Sequence, residues 1–409
     1  MRRRDRVLAA LNHSQPDRVP KDLGGMRSTG ISCFAYPQLR TALNLPARRP
    51  LIHDTSQMLA LPEEDVLDAL DCDVLCVEGN GLCAPFAHEF AWHDYDFNGR
   101  LPAQVLNPAA FRVDEAGCIH QGSGEHASRM PSASHVFETA HGGQPLDFNA
   151  EIEPWDLDAL RANLRAQLPE QAELDALEQY CQRLRQHSDR AIMLSGPTHG
   201  FGFHGGIAAW SMRCALDPDS VKDIHAVITE LTLERMQRVI PRVAPYIDVL
   251  MASADDHGTQ SATFLAPATY RDLYLPYQSQ VNNCIHSLAP DLKIFLHSCG
   301  AIYEIIEHII AAGFDVLNPV QWCAGTRGYQ EWKDLCRGRI ALWGGGVNTQ
   351  HTVPRGNIAE ITNEIREVVA YLAQDGGYVF TPIHNLLAEV PAEVAIAIYR
   401  TAGAVPVNA

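Results

Sequence analysis

Long apolar runs are missing from this 409-residue chain, and so is any concentration of positive charge. No segment approaches the roughly 20 apolar residues that a membrane-crossing helix needs. Beyond the first six residues there is no Lys/Arg cluster, and the formal charge is −17. A nucleic-acid binder would show a basic face, so that class is excluded. The eleven cysteines are odd in number and follow no framework spacing. They read as buried small hydrophobes of a reducing compartment rather than as disulfides. "CDVLC" (Cys72 to Cys76) is a CxxxC, and Cys83 lies too far on to complete a cluster-type triplet. There is no Walker loop, no dinucleotide fingerprint opening a βαβ unit and no nucleophile elbow. In the opening "MRRRDRVLAALNHSQPDRVP", the apolar stretch Val7 to Leu11 is too short for a signal sequence and stops at Asn12, His13 and Ser14. The expected location is cytoplasmic.

What is present is a 46% hydrophobic chain, enough for a large core. Eight short apolar runs recur, mostly followed by helical patterns: 19–25, 72–79, 191–197, 247–256, 293–300, 315–321, 340–348 and 377–384. Their interiors are nearly continuous in apolar residues, which suits parallel strands covered on both faces. Helical spacing fills the intervals, as in "SVKDIHAVITELTLERMQRVI" and "NIAEITNEIREVVAYLA". Asp219 or Ser220 is placed to cap the first of these and Asn357 the second. Alternation around eight strands predicts an α/β fold, a (β/α)8 TIM barrel spanning 1–409 as one domain. Residues 80–150, rich in Gly, Pro, His and aromatics, break the rhythm and predict a β-rich insertion after the second strand. Residues 154–185 read as acidic surface helix.

In such barrels the active site forms at the C-terminal strand ends. "IFLHSCG" ends the fifth run with His297 and Cys299, two residues apart and therefore able to reach one point. Imidazole nitrogen and thiolate sulfur are ligands that zinc prefers, although a buried histidine beside a structural cysteine gives the same pattern. His384, at the end of the last run, supplies a third ligand by barrel closure, leaving one open position. Asp255, Asp256 and His257 end the fourth run. They can complete a metal shell, orient a ligand or act as acid and base, though one aspartate suits a helix cap. Cys323 is a weaker spare ligand. Arg27, in "GGMRSTG", suits a carboxylate or phosphate. The glycines of "WGGGVNTQ", with Asn348, can either cradle a substrate anion or allow close backbone packing. His199 and His204, in "SGPTHGFGFHGG", face a pocket or the surface.

These residues together resemble the uroporphyrinogen decarboxylase superfamily over nearly the whole chain, with the 80–150 insertion least matched. "RVLAALNHSQPDRVP" is similar to that family's start. "MRSTG" is similar to its substrate-binding MRQAG motif, with Arg27 matching the first arginine, and "IHNLLAEVPAEVAIAIYRTA" is similar to its final segment, with His384 matching an active-site histidine. The position of the family's second arginine is Ile31, and the stretch where its Ser-Asp pair falls reads Val77-Glu78-Gly79. The HSCG motif instead resembles the cobamide-dependent methyltransferases, which bind zinc through His-x-Cys and a later cysteine. That position is taken by His384. The resemblance implies a zinc-dependent transfer of methyl between a small substrate and a corrinoid held on a separate protein. In it Arg27 would orient the substrate and Asp255 or Asp256 would manage protons. The alternatives it leaves are metal-free decarboxylation of a tetrapyrrole or carboxylated aromatic, and a non-catalytic tetrapyrrole-binding protein. A homodimer is left open.

Overall fold

A computed structural model of the chain describes residues 1–77, 91–122, 128–139, 154–196 and 198–407. Seven parallel strands form one sheet, neighbours in space following chain order: β1 (Val74–Val77), β2 (Ala191–Ser195), β3 (Val249–Ser253), β4 (Lys293–His297), β5 (Val316–Asn318), β6 (Ala341–Trp343) and β7 (Tyr378–Val379). They fall inside seven of the eight runs read from the sequence. The remaining run, 19–25, is not a strand but a seam. Lys21 makes an isolated parallel bridge to Phe380. The Phe380 N–H donates to Pro20 O at 2.8 Å and the Asp22 N–H to Phe380 O at 2.8 Å. On the other side the Asp73 N–H donates to Lys21 O at 2.7 Å. The two edges of the sheet are thereby joined, and the fold is a TIM barrel. The run fails to extend as a strand because Gly24, at φ +78°, turns the chain away, and the Asp22 carboxylate accepts from Gly25 N at 2.7 Å.

Strand alternation sorts the side chains. Val74, Met193, Val249, Met251, Phe295, Val316, Trp343 and Val379 pack inside the barrel, and Leu75, Ile192, Leu250, Ile294, Leu317 and Leu342 pack outward under the helices. Helix α1 (Arg3–Leu11) contributes Val7, Ala10 and Leu11 to the inner cluster and so plugs one end. Burying each of the larger of these side chains stabilises the barrel by on the order of 1.5–3 kcal/mol before entropy is counted.

Two helix boundaries differ from expectation. Helix α2 (Pro218–Val243) is capped by Asp217, whose carboxylate accepts from Ser220 N, because Pro218 suits the first helical turn. The stretch read as one helix over 154–185 is two, Leu157–Ala166 and Gln171–His187, separated at Pro169, and the second runs two residues past that range. Helix α3 (Ile358–Leu372) begins at the expected cap, Asn357. Between β1 and β2 the described residues carry two small antiparallel sheets, one of His93–Asp96 with Pro102–Val105 and one of four strands between Phe111 and Thr139. They join the body through Gln104 N to Pro50 O and Phe137 N to Ser56 O, both 2.9 Å. The parts of the 80–150 stretch at 80–90, 123–127 and 140–150, Cys83 among them, lie outside the described residues. No described helix is long and apolar enough to cross a membrane.

Candidate functional site

The site is built on β4. His297 is its last residue, and Cys299 follows in the loop with its Sγ 3.4 Å from His297 Nε2. Two glycines set that loop. A Cβ on Gly300, at φ +94°, would lie 2.3 Å from the backbone of Gly258, and one on Gly258 would lie 2.6 Å from Ala301 N. The loops after β3 and β4 thus touch backbone to backbone, which places Asp256 beside Cys299. Asp256 Oδ1 accepts from Cys299 N at 2.7 Å and lies 3.6 Å from His297 Nε2. The ligand-type atoms of Asp256, His297 and Cys299 all fall within 4.8 Å of one another.

The tautomer of His297 follows from its neighbour. The buried Asn318 amide donates through Nδ2 to Trp343 O at 2.8 Å, which turns its Oδ1 toward His297 Nδ1 at 2.6 Å. An amide oxygen only accepts, so Nδ1 carries a proton. In the neutral ring, Nε2 then presents a lone pair to the Cys299 thiol, the Asp256 carboxylate and the Ser28 hydroxyl, the last at 3.3 Å. Lone pair and carboxylate are both acceptors, an arrangement that suits a cation between them. Burial, followed by the Asp256 charge, raises the Cys299 thiol well above its ordinary range. A divalent ion reverses that tendency. The donor set therefore fits zinc, and the Asn318–His297 contact is the outer hydrogen bond that ligating histidines usually have.

His384 stands across the mouth, its ring centroid 6.5 Å from that of His297. The residue grouped tightly with the His-x-Cys pair is Asp256. Burial, with His297 nearby, lowers His384 to about 4, so it is neutral at pH 7. His384 and Cys299 both line a cavity of about 490 Å³, with Gln260, Gln321 and Gln350. Cys323 sits at its rim, its Sγ 3.6 Å from Gln350 Oε1.

The other expected residues are placed differently from one another. Asp255 Oδ2 accepts from Ser253 Oγ and Phe201 N, both 3.0 Å, and burial raises its pKa. A Cβ on Gly200 or Gly202 would lie 2.9 or 2.7 Å from its Oδ1, so the glycine-rich loop is wrapped around this carboxylate. His257 is buried between Tyr270 and Tyr274, each with ring centroids 4.9 Å away. His204 packs on Trp210 at 4.9 Å, and His199 is buried, which lowers it to about 4. None of these three histidines lines the cavity beside Cys299. Asn348 Oδ1 accepts from Gln350 N and His351 N, capping the next turn. The neighbouring glycines serve packing: Cβ atoms on Gly345 and Gly346 would meet Val320 at 2.6 Å and Phe380 at 2.2 Å. Arg27 Nε lies 3.6 Å from Asp54 Oδ2.

Sequence reasoning missed Asn318, Ser28 and Asn385. Asn385 fixes the Arg27 loop, accepting from Gly30 N at 2.7 Å and donating to Arg27 O at 2.9 Å. Its place after His384 in "PIHN" was the available signal. A second grouping among the described residues, Asp114, Cys118 and His120, lies on a hairpin turn. There Asp114 already accepts from Ala116 N, Cys118 N and His120.

A parallel barrel with a His, Cys and Asp constellation at its C-terminal mouth belongs to the large class of barrels whose chemistry sits on strand-end loops. The family model described as uroporphyrinogen decarboxylase (URO-D) matches residues 163–404, more than half of the chain. The chain belongs to the uroporphyrinogen decarboxylase family. It is similar in fold to a methyltransferase from Methanosarcina mazei, with 16% identity, 98% of each chain covered and a TM-score of 0.56. A psychrophilic family 10 endo-β-1,4-xylanase (10% identity, 52% of this chain and 70% of that one, TM-score 0.31) shares too little to carry weight. The same holds for an endo-1,4-β-mannanase from Rhizomucor miehei (11%, 57% and 75%, TM-score 0.34). No curated protein matches the chain.

Proposed function

We propose that this protein is a zinc-dependent methyltransferase that moves a methyl group between a small substrate and a corrinoid on a separate protein. The observation that carries the reading is the convergence of Asp256 and Cys299 on His297 Nε2, with the opposite ring nitrogen held by Asn318. Its family and its likeness in fold to a methyltransferase support it. His297 and Cys299 would hold the ion, with Asp256 or His384 as third ligand. Bound zinc would supply Lewis acidity to the heteroatom that carries or receives the methyl group.

The chain's own groups do the rest. Asn318 keeps Nδ1 protonated and Nε2 free to donate its lone pair. The Cys299 thiol must lose its proton on loading, and Asp256, within 4.8 Å, is placed to accept it. The cavity beside Cys299 has room for a small substrate, and its glutamines orient polar groups on it. Asp255 holds the glycine-rich loop in place.

The competing reading, decarboxylation of a polycarboxylated tetrapyrrole, requires cationic partners for the carboxylates. No lysine or arginine is among the described residues lining the cavity beside Cys299. The test is elemental analysis followed by turnover. About one zinc per chain is expected, lost in His297→Ala and Cys299→Ala, with methyl transfer to or from a Co(I) corrinoid protein in the loaded enzyme. Asp256→Asn and His384→Ala, compared for zinc affinity, identify the third ligand. Zinc retained by the His297→Ala/Cys299→Ala double variant, or release of CO₂ from uroporphyrinogen by metal-free protein, refutes the reading.

A further inference from the structure

A second cavity of about 530 Å³ adjoins the first. His384, Asn385 and Leu387 line both, so the segment after β7 is the partition between them. The far wall of the second cavity comes from the stretch between β1 and β2: Ala133 to Phe137, with Phe137 N tied to Ser56 O at 2.9 Å. Its floor comes from Ser32, Gln57 and Leu59. At the rim His135 Nδ1 lies 2.9 Å from Glu389 Oε1, linking this wall to the C-terminal segment. The size is that of a small-molecule site, well above what one or two waters require.

Its chemistry is one-sided. The larger apolar lining residues are Leu59, Val136, Phe137 and Leu387, and the polar lining is the hydroxyls of three serines, the carboxamides of Gln57 and Asn385, the imidazoles of His135 and His384, and the Glu389 carboxylate. No lysine or arginine lines it among the described residues, and the one carboxylate there, the exposed Glu389, is already engaged by His135. The undescribed segments 78–90, 123–127 and 140–153 contain no lysine or arginine either. Arg100 is engaged with the carbonyl oxygens of Pro131 and Ser134. Arg27 lies beside Asp54. A carboxylate moved from water into such a chamber finds no lysine or arginine to pair with and meets the Glu389 carboxylate at the rim, so it is disfavoured, whereas an uncharged ring with a hydroxyl buries apolar area and keeps hydrogen bonds.

We propose that this chamber binds the body of the substrate, and that the body is an uncharged, partly apolar molecule selected by the 133–137 segment. The proposal deepens the reading above: the methyl-bearing atom would face the Cys299 cavity while the remainder lies behind the His384 partition.

The test uses the full-length protein and a matched pair of probes, 2-naphthol and 2-naphthoate, titrated by calorimetry at pH 7. There the first is neutral and the second ionised. Binding of 2-naphthol at one per chain is expected, at least about tenfold tighter than that of 2-naphthoate. Val136→Trp, which fills the chamber from its partly exposed wall, should weaken 2-naphthol by about tenfold or more without moving the melting temperature or zinc content. Ala133→Lys, on the same wall, should narrow the preference by strengthening 2-naphthoate. Equal or tighter binding of 2-naphthoate, no binding of 2-naphthol, or Val136→Trp without effect overturns the proposal. A protein that binds 2-naphthol in this chamber yet holds no zinc retires the methyltransferase reading and leaves the site standing.

Discussion

Replacing Asn318 by alanine removes a side chain that touches neither cavity yet sets the lone pair on which metal binding depends. Asn318 is fully buried and makes two side-chain hydrogen bonds, to His297 Nδ1 and to Trp343 O. Alanine leaves one buried donor and one buried acceptor without partners, at a cost of about 1–3 kcal/mol each. A water in the vacated space would bring the sum to the lower end, about 2 kcal/mol. That is a large fraction of a typical 5–15 kcal/mol of stability, but it leaves a folded protein. The effect on zinc is separate. With Nδ1 no longer held, the ring can rotate or exchange tautomers, and losing such an outer partner typically costs about 10–100-fold in metal affinity. Competition with a chromophoric chelator measures the zinc constant, and urea unfolding of the apoprotein measures stability. The expected result is a 10–100-fold weaker constant and a lower urea midpoint. A variant that binds zinc as tightly as the parent would refute the assignment of the Nε2 lone pair.

Gly300→Ala should be costly, because its Cβ would fall 2.3 Å from Gly258 and the residue sits at φ +94°. Overpacking and the left-handed backbone together suggest about 3 kcal/mol, read as a lower urea midpoint, with zinc affinity falling as the two loops separate. His199 and His225 are held at about 4 by burial, below the ordinary 6.5. Their contribution is fully present above pH 6.5 and is lost as pH falls toward 4, because only the unfolded chain takes up the protons. Each accounts for at most about 3 kcal/mol, and His225→Phe should flatten a series of urea midpoints between pH 7 and 4.5. Asn385→Ala should free the loop of Arg27 and Ser28, raising KM in steady-state turnover while zinc content stays at the parent level, since among the described residues Asn385 bonds to Gly30, Arg27 and Gln57 and not to the His297 group.

The barrel was legible because buried parallel strands leave continuous apolar runs that helices interrupt. Seven runs contain strands, each shorter than its run, because residues at the run ends, such as Gly300, Gln321, Gly344 and His384, belong to the loops. The first run misled because Val19 and Leu23 are apolar while only Lys21 bridges to its neighbour. At the site, His297 and Cys299 could be read from their spacing and Asp256 from its place at a strand end. Which of Asp256 and His384 lies near the pair depends on the Gly258–Gly300 contact, which joins loops from different strands and has no local signature. Asn318 was invisible for the same reason: its partners lie on β4 and β6. His204 and His257 show the limit of residue type, since packing against tryptophan or tyrosine leaves the same letter in the sequence as binding a substrate.

The seam at Lys21 has a consequence for biogenesis. The residues that join the two sheet edges lie near the amino end, and one of their partners, Phe380, is among the last barrel residues to leave the ribosome. The ring therefore cannot close before Phe380 has emerged, and until then the nascent chain carries an open sheet with two unpaired edges. A shortened chain that ends before Phe380 would stay in that state, exposed to edge-to-edge association rather than merely inactive.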